Sequence, residues 1–161
     1  MEFEVVKIER EEGHNVIIGM SHFIKTVEDV YEALVTAVPN IEFGFAFNEA
    51  SGPRLVRKCG TDEKLIETAV KNALNIGAGH SFVLILGNVF PINVLKKLRD
   101  VQETVSFFCA TANPLKVLVS VEGEQRSLVS VFDGMKPLGV EKEEDVKKRK
   151  SFLREIVKYK K

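Results

Sequence analysis

Few side chains in this chain can do chemistry, and the most conspicuous is His80, set in Ile76-Gly-Ala-Gly-His-Ser-Phe82. A helical pattern ends there and a long apolar run begins. Two readings stand side by side: a satisfied group at a strand start, or the working group of a site. Gly79 removes the side chain that would crowd the imidazole and exposes backbone N–H groups beside it, as an anion nest requires, with Ser81 next in line. Gly77 has a plainer role as the left-handed residue that ends a helix.

A second polar group is Glu49-Ala-Ser51-Gly-Pro-Arg54, which hangs a carboxylate, a hydroxyl and a guanidinium on a Gly-Pro turn. Glu49 could serve as a base, and Arg54 could hold a phosphate with two parallel bonds. Two further turns follow apolar runs. One carries Thr111 and Asn113, the other Asp133 and Lys136, and both also read as ordinary Asn-Pro and Asp-Gly turn chemistry. His14 has the look of a structural residue after a turn.

Gly19-Met-Ser-His22-Phe-Ile-Lys25-Thr26 almost matches a phosphate-binding loop, but Ile24 stands where the backbone needs glycine. Lys25 and His22 could still approach an anion near a helix N-terminus. Gly77-Ala-Gly79 is no dinucleotide fingerprint, since Phe82 fills the third glycine position and the order is helix to strand. Neither a Ser-His-Asp arrangement nor metal-ligand spacing is visible. Cys59 and Cys109, far apart in sequence, read as small buried hydrophobes.

These groups need a frame. At 161 residues and 45% apolar, the chain suffices for one domain over 1–161. Basic and acidic residues number 23 each, so no overall field favours nucleic acid or membrane. The N-terminus has no apolar signal core, and no run is long enough to span a bilayer, which predicts a cytoplasmic protein.

Alternation over 3–9 and an apolar run from His14 to Gly19 predict a hairpin. Thr26-Val-Glu-Asp29 resembles a capping box, with Thr26 as N-cap, opening a helix over 27–38. Phe43 to Phe47 alternates aromatic with Gly or Ala, a strand with one bare face. A short strand resumes at Leu55-Val56. A helix over 63–75, a doubly buried strand over 80–86 and a helix from Pro91 follow. Strands over 105–110, 115–121 and 126–132 come next, then a C-terminal helix from Glu141 whose charges suit the macrodipole. The expected fold is α/β: a mixed sheet with helices on both faces, a three-layer sandwich.

His80 starts its strand, whereas Glu49, Asn113 and Asp133 follow the ends of theirs. They meet only if 80–86 runs antiparallel to its neighbours or if two subunits share the site. The crossover rule makes 80–86 and 105–111 parallel, which favours sharing.

Taken in order, SHFIKTVEDVYEAL, FGFAFNEASGPRLVR, IGAGHSFVLIL, PINVL, FCATANPL and DGMKPLGVE resemble the adenosine-specific kinases over nearly the whole chain. Asn48, where a cysteine is expected, and Cys59 are mild departures. The resemblance implies a domain that binds adenosine or AMP, assembles as a homo-oligomer, a trimer, and phosphorylates adenosine through a phosphohistidine. It marks His80 as the phosphorylated histidine and carries over Glu49, Ser51, Arg54, Asn113, Asp133 and Gly139. By their chemistry Glu49 or Asp133 could act as a base, and Ser51, Arg54, Asn113 and Gly139 could bind substrate beside Lys25, His22, Gly79 and Ser81. ATP or another phosphoryl donor, with Mg2+, is implied. The alternative is an adenosine or AMP sensor that holds a stable phosphohistidine with little turnover.

Overall fold

The computed structural model describes residues 1–161. Its strands are β1 (Glu2–Lys7), β2 (Asn15–Ser21), β3 (Phe43–Asn48), β4 (Val56–Gly60), β5 (Ser81–Leu86), β6 (Thr104–Thr111), β7 (Leu115–Glu122) and β8 (Gln125–Asp133). Helices α1 (Thr26–Ala37), α2 (Glu63–Ile76), α3 (Pro91–Arg99) and α4 (Glu143–Ser151) intervene, and a π turn over Phe152–Ile156 continues α4.

The strands divide into a five-stranded sheet, ordered β4-β3-β5-β2-β6, and a three-stranded sheet, β1-β7-β8. Every neighbouring pair is antiparallel. The predicted β1–β2 hairpin does not form. The turn after Glu11 is present, with His14 N–H bonded to the Glu11 carbonyl. However, β5 and β6 occupy both edges of β2, so β1 pairs with β7 instead. The two parts remain tied through Asn72 of α2, whose buried amide accepts from Glu9 N–H at 2.9 Å and donates to the Glu9 carbonyl at 2.7 Å.

Two cores follow from strand alternation. Phe43, Phe45, Phe47, Phe82, Leu84 and Ile17 pack under α1 and α3 through Val30, Leu34, Val94 and Leu98. On the opposite face Val16, Ile18, Ala46, Val83 and Ile85 meet Leu65, Ala69, Ala73 and Ile76 of α2, together with Val117, Val119 and Leu128 of the small sheet. The expected α/β layering with helices on both faces is what the chain adopts. The bare face of β3 receives a helix: a Cβ on Gly44 would lie 2.1 Å from the backbone of Leu65.

Local signals mostly carry over. Asp62 caps α2 by accepting from Leu65 N–H, and Gly77 ends it with φ 61°. Thr26 does not cap α1; it is the first helical residue, and its hydroxyl bonds the Phe23 carbonyl and Ser21 Oγ. The short strand expected at Leu55-Val56 runs instead over Val56–Gly60. The cysteines are half-buried, not buried, and burial pushes the Cys59 thiol up to about 12 and that of Cys109 to about 11. No helix is long and apolar enough to cross a membrane.

Candidate functional site

Because β3 and β5 are antiparallel neighbours, with Phe47 opposite Phe82, the end of one lies beside the start of the other. Met20 at the end of β2 faces Ser81, and Ser21 faces Thr104 at the start of β6. One end of the large sheet therefore gathers the 48–55 turn, the 21–25 turn, residues 77–80 and the entry to β6.

His80 occupies this end with φ 68°, a left-handed conformation that an L side chain adopts at a cost of about 1 kcal/mol. Two backbone bonds hold it there. Its N–H donates to the Asn48 carbonyl at 2.7 Å, and its carbonyl accepts from Ser21 N–H at 2.9 Å. Buried Asn48 adds side-chain donors to the Ala73 carbonyl and Ser81 Oγ, both at 2.9 Å, while Ser81 Oγ donates to the Ala78 carbonyl. Ser81 is thus a buried strut. The imidazole stacks on Phe47, with ring centroids 6.0 Å apart and planes at 13°, and the residue is half-buried.

Phe47 carries a second polar neighbour, because its cross-strand partner on β4 is Arg57 and directly opposed residues share a sheet face. Arg57 is bound to Glu49, with Nη2 at 3.1 Å and 3.3 Å from the two carboxylate oxygens. Its Nε is buried and has no acceptor. Glu49 also accepts from Leu55 N–H at 3.0 Å, which closes the turn, and its carboxylate is only 16% exposed. That backbone bond, followed by Arg57, holds the Glu49 carboxyl below its ordinary value.

Sequence reasoning missed Arg57 and chose Arg54, which has φ 54°, is mostly exposed and stands 3.5 Å from Glu124. Only the β3–β4 register distinguishes the two arginines. Ser51 is exposed on the same turn. A cavity of about 660 Å³ lies against this turn, lined by Asn48, Glu49, Arg54, Gly77, Gly79 and Arg126 among others. The ring of His80 does not line it, since Phe47 and the imidazole belong to the α1 side of the sheet. Gly79 leaves room for Ala50, whose Cβ would lie 2.8 Å from a glycine-borne Cβ.

Lys25 is committed elsewhere: Nζ pairs with Asp29 and lies 3.4 Å from the buried Glu103. His22 is exposed and stacks on Phe23. Asn113 and Asp133 bond each other at 3.2 Å at the opposite end of the sheet. Thr111, just before them, faces Val16, which in turn faces Ile85. That level is five residues beyond His80, roughly 17 Å along the strand. Gly139 is exposed beyond β8. The two geometric conditions thus divide: β5 is antiparallel to β3, which unites His80 with Glu49 in one chain, whereas β5 and β6 are parallel with β2 between them. Within one chain Asn113, Asp133 and Gly139 do not join His80.

No group of three or more His, Cys, Asp or Glu side chains is placed to hold a metal ion. The assembled chemistry is therefore an imidazole on an aromatic shelf, a guanidinium with a spare buried donor, and a carboxylate that orients it.

Residues 6–160 match the family described as adenosine specific kinase. The PH1918 protein from Pyrococcus horikoshii OT3, known from a crystal structure, is 41% identical, with 99% of this chain and 98% of that one covered at a TM-score of 0.94. No curated protein matches.

Proposed function

This chain belongs to the adenosine-specific kinase family, and on that premise we propose that it converts adenosine to AMP in two phosphoryl transfers with His80 as the carrier. The strained backbone at His80 carries the reading. A left-handed residue beside three small ones would be cheapest as glycine, and strain of this kind collects at functional positions.

In the first transfer a neutral imidazole nitrogen attacks the terminal phosphorus of ATP or a related donor. The bond to the leaving diphosphate oxygen breaks as the N–P bond forms. In the second, the 5′-oxygen of adenosine attacks that phosphorus, the N–P bond breaks, and the hydroxyl proton passes to a carboxylate. Arg57, held by Glu49, offers the guanidinium N–H donors that Glu49 leaves free to the charge spread over the transferring oxygens. A magnesium ion carried by the donor phosphates would neutralise part of their charge. Phe47, itself buried, supports the imidazole by stacking against it. Arg54 and Gly79 border the neighbouring cavity and Ser51 is exposed on the same turn, while Asn113, Asp133 and Gly139 reach this end only from another copy in a homo-oligomer such as a trimer.

One observation favours a second reading, a sensor that keeps its phosphohistidine. Glu49 is tied by Leu55 and Arg57 and its carboxyl is held low, so it is a weak base for the 5′-hydroxyl. Incubation with γ-labelled ATP and magnesium tests both. The kinase reading expects acid-labile, alkali-stable label on the protein that adenosine chases into AMP, and none on His80→Ala. Label that adenosine does not discharge supports the sensor, and undiminished label on His80→Ala overturns both.

A further inference from the structure

After Asp133 the chain leaves its own body. Met135, Leu138 and Val140 are almost wholly exposed, with Leu138 at 100%, and neither α4 nor the π turn after it buries a residue. Phe152 and Ile156 are exposed as well. A nine-residue helix of this kind is marginal in water by itself, since isolated helices need about 12–15 residues even in favourable sequences. Something else must support it.

The same chain carries an uncovered face of matching character. In the small sheet, alternation turns Val6, Val117, Val119 and Leu128 inward and leaves the other set facing out. The outward rows read Phe3–Ser120–Ser127, Val5–Leu118–Ser130 and Lys7–Lys116–Phe132. Phe3, Val5 and Phe132 are each more than half exposed. Lys7 and Lys116 are directly opposed, an arrangement that costs stability in an isolated sheet. At the other end of the face stands Glu122, beside the exposed Glu124.

The arm has the complementary order of charge. Glu141, Glu143, Glu144 and Asp145, interrupted only by Lys142, come first, then Lys147, Lys148, Arg149, Lys150 and Arg154, with Glu155 after them. From Glu143 to Arg154 it spans about 16 Å at ~1.5 Å per residue. The face runs about 20 Å from Lys116 to Glu122 at ~3.4 Å per residue. Laid along it, the acidic turn meets the paired lysines and the basic turn meets Glu122 and Glu124.

We propose that the outer face of the β1-β7-β8 sheet is the docking site for the 134–156 arm of a second copy of this chain. Apolar side chains from Met135 to Val140 cover Phe132, Val146 and Phe152 lie over Val5 and Phe3, and the opposed lysines are neutralised by Glu143, Glu144 and Asp145 of the neighbour. Every copy offers both an arm and a face, so the contact either closes reciprocally in a pair or runs head to tail into a ring. It is independent of the chemistry at His80.

The test is a charge exchange in the full chain, read by sedimentation equilibrium, with circular dichroism as the check on folding. All exchanged residues are exposed. The wild type is expected at a multiple of 18.0 kDa. K7E/K116E and E143K/E144K/D145K should each weaken assembly about tenfold or more. The chain carrying all five substitutions should recover it, because each arm again meets an opposite charge. A wild type of 18.0 kDa at every concentration, as when the arm folds back on its own face, overturns the proposal. So does a folded five-substitution chain that stays dissociated, or reversals that leave the mass unchanged.

Discussion

At the scale of single residues, His80 offers a test that separates function from stability. Glycine accepts its φ of 68° without penalty, whereas alanine keeps the Cβ that makes this conformation costly. His80→Gly is therefore expected to be about 1 kcal/mol more stable than His80→Ala, the reverse of the order at an ordinary position, with both lacking phosphohistidine. Denaturant midpoints of the two variants decide it. If His80→Ala is the more stable, backbone strain does not mark this position.

Glu49 gives a pH signature. Its folded-state pKa lies below the ordinary 4.5, so the stability it contributes is fully present above that value. This contribution disappears as pH falls through the lowered folded value. Glu49→Gln cannot show that loss. Wild type should thus exceed the variant in stability at pH 7 and approach it in acid, and an unchanged gap at low pH counts against the Arg57 pair as the cause.

At the scale of elements, the tightest approach at any glycine is that of α2 over β3. Gly44→Ala drives a methyl into the Leu65 backbone, which cannot rotate aside, so a loss of about 3 kcal/mol or failure to fold is expected in urea titration. That glycine was legible in advance as part of a bare face that a helix or a ligand could approach, and the helix takes it. The end of α2 was equally legible, because Gly77 and the apolar spacing before it are local signals. Strand partners were not. Alternation in Phe3 to Ile8 shows that β1 has one inward face, but nothing local says that β7 is its neighbour, and the adjacent apolar run made a hairpin the natural expectation. The same gap hid Arg57, whose link to Glu49 exists only in the β3–β4 register. It also led Asp133 to be grouped with His80, although strand direction sends them to opposite ends.

At the scale of the whole molecule, layered α/β architecture followed from the order of patterns, whereas the division into two sheets did not, because it depends on which strand edges are already taken. Family membership points to adenosine as the substrate, and the single-chain part of the site proposed above consists of His80, Glu49 and Arg57 around Phe47. If a neighbouring copy completes that site, dilution below the assembly midpoint should lower turnover of adenosine more than it lowers labelling of His80. A constant ratio across that range would mean that one chain suffices.

The strand order also governs how this protein can be made. β2 sits between β5 and β6, so an apolar segment complete by residue 21 waits for partners that end at residues 86 and 111, and β1 waits longer still for β7. Distant pairings of this sort fold slowly and leave sticky edges open during synthesis. Nascent chains stalled before residue 111 should therefore remain protease-sensitive and lean on chaperones, with resistance to digestion arriving late in translation and in one step.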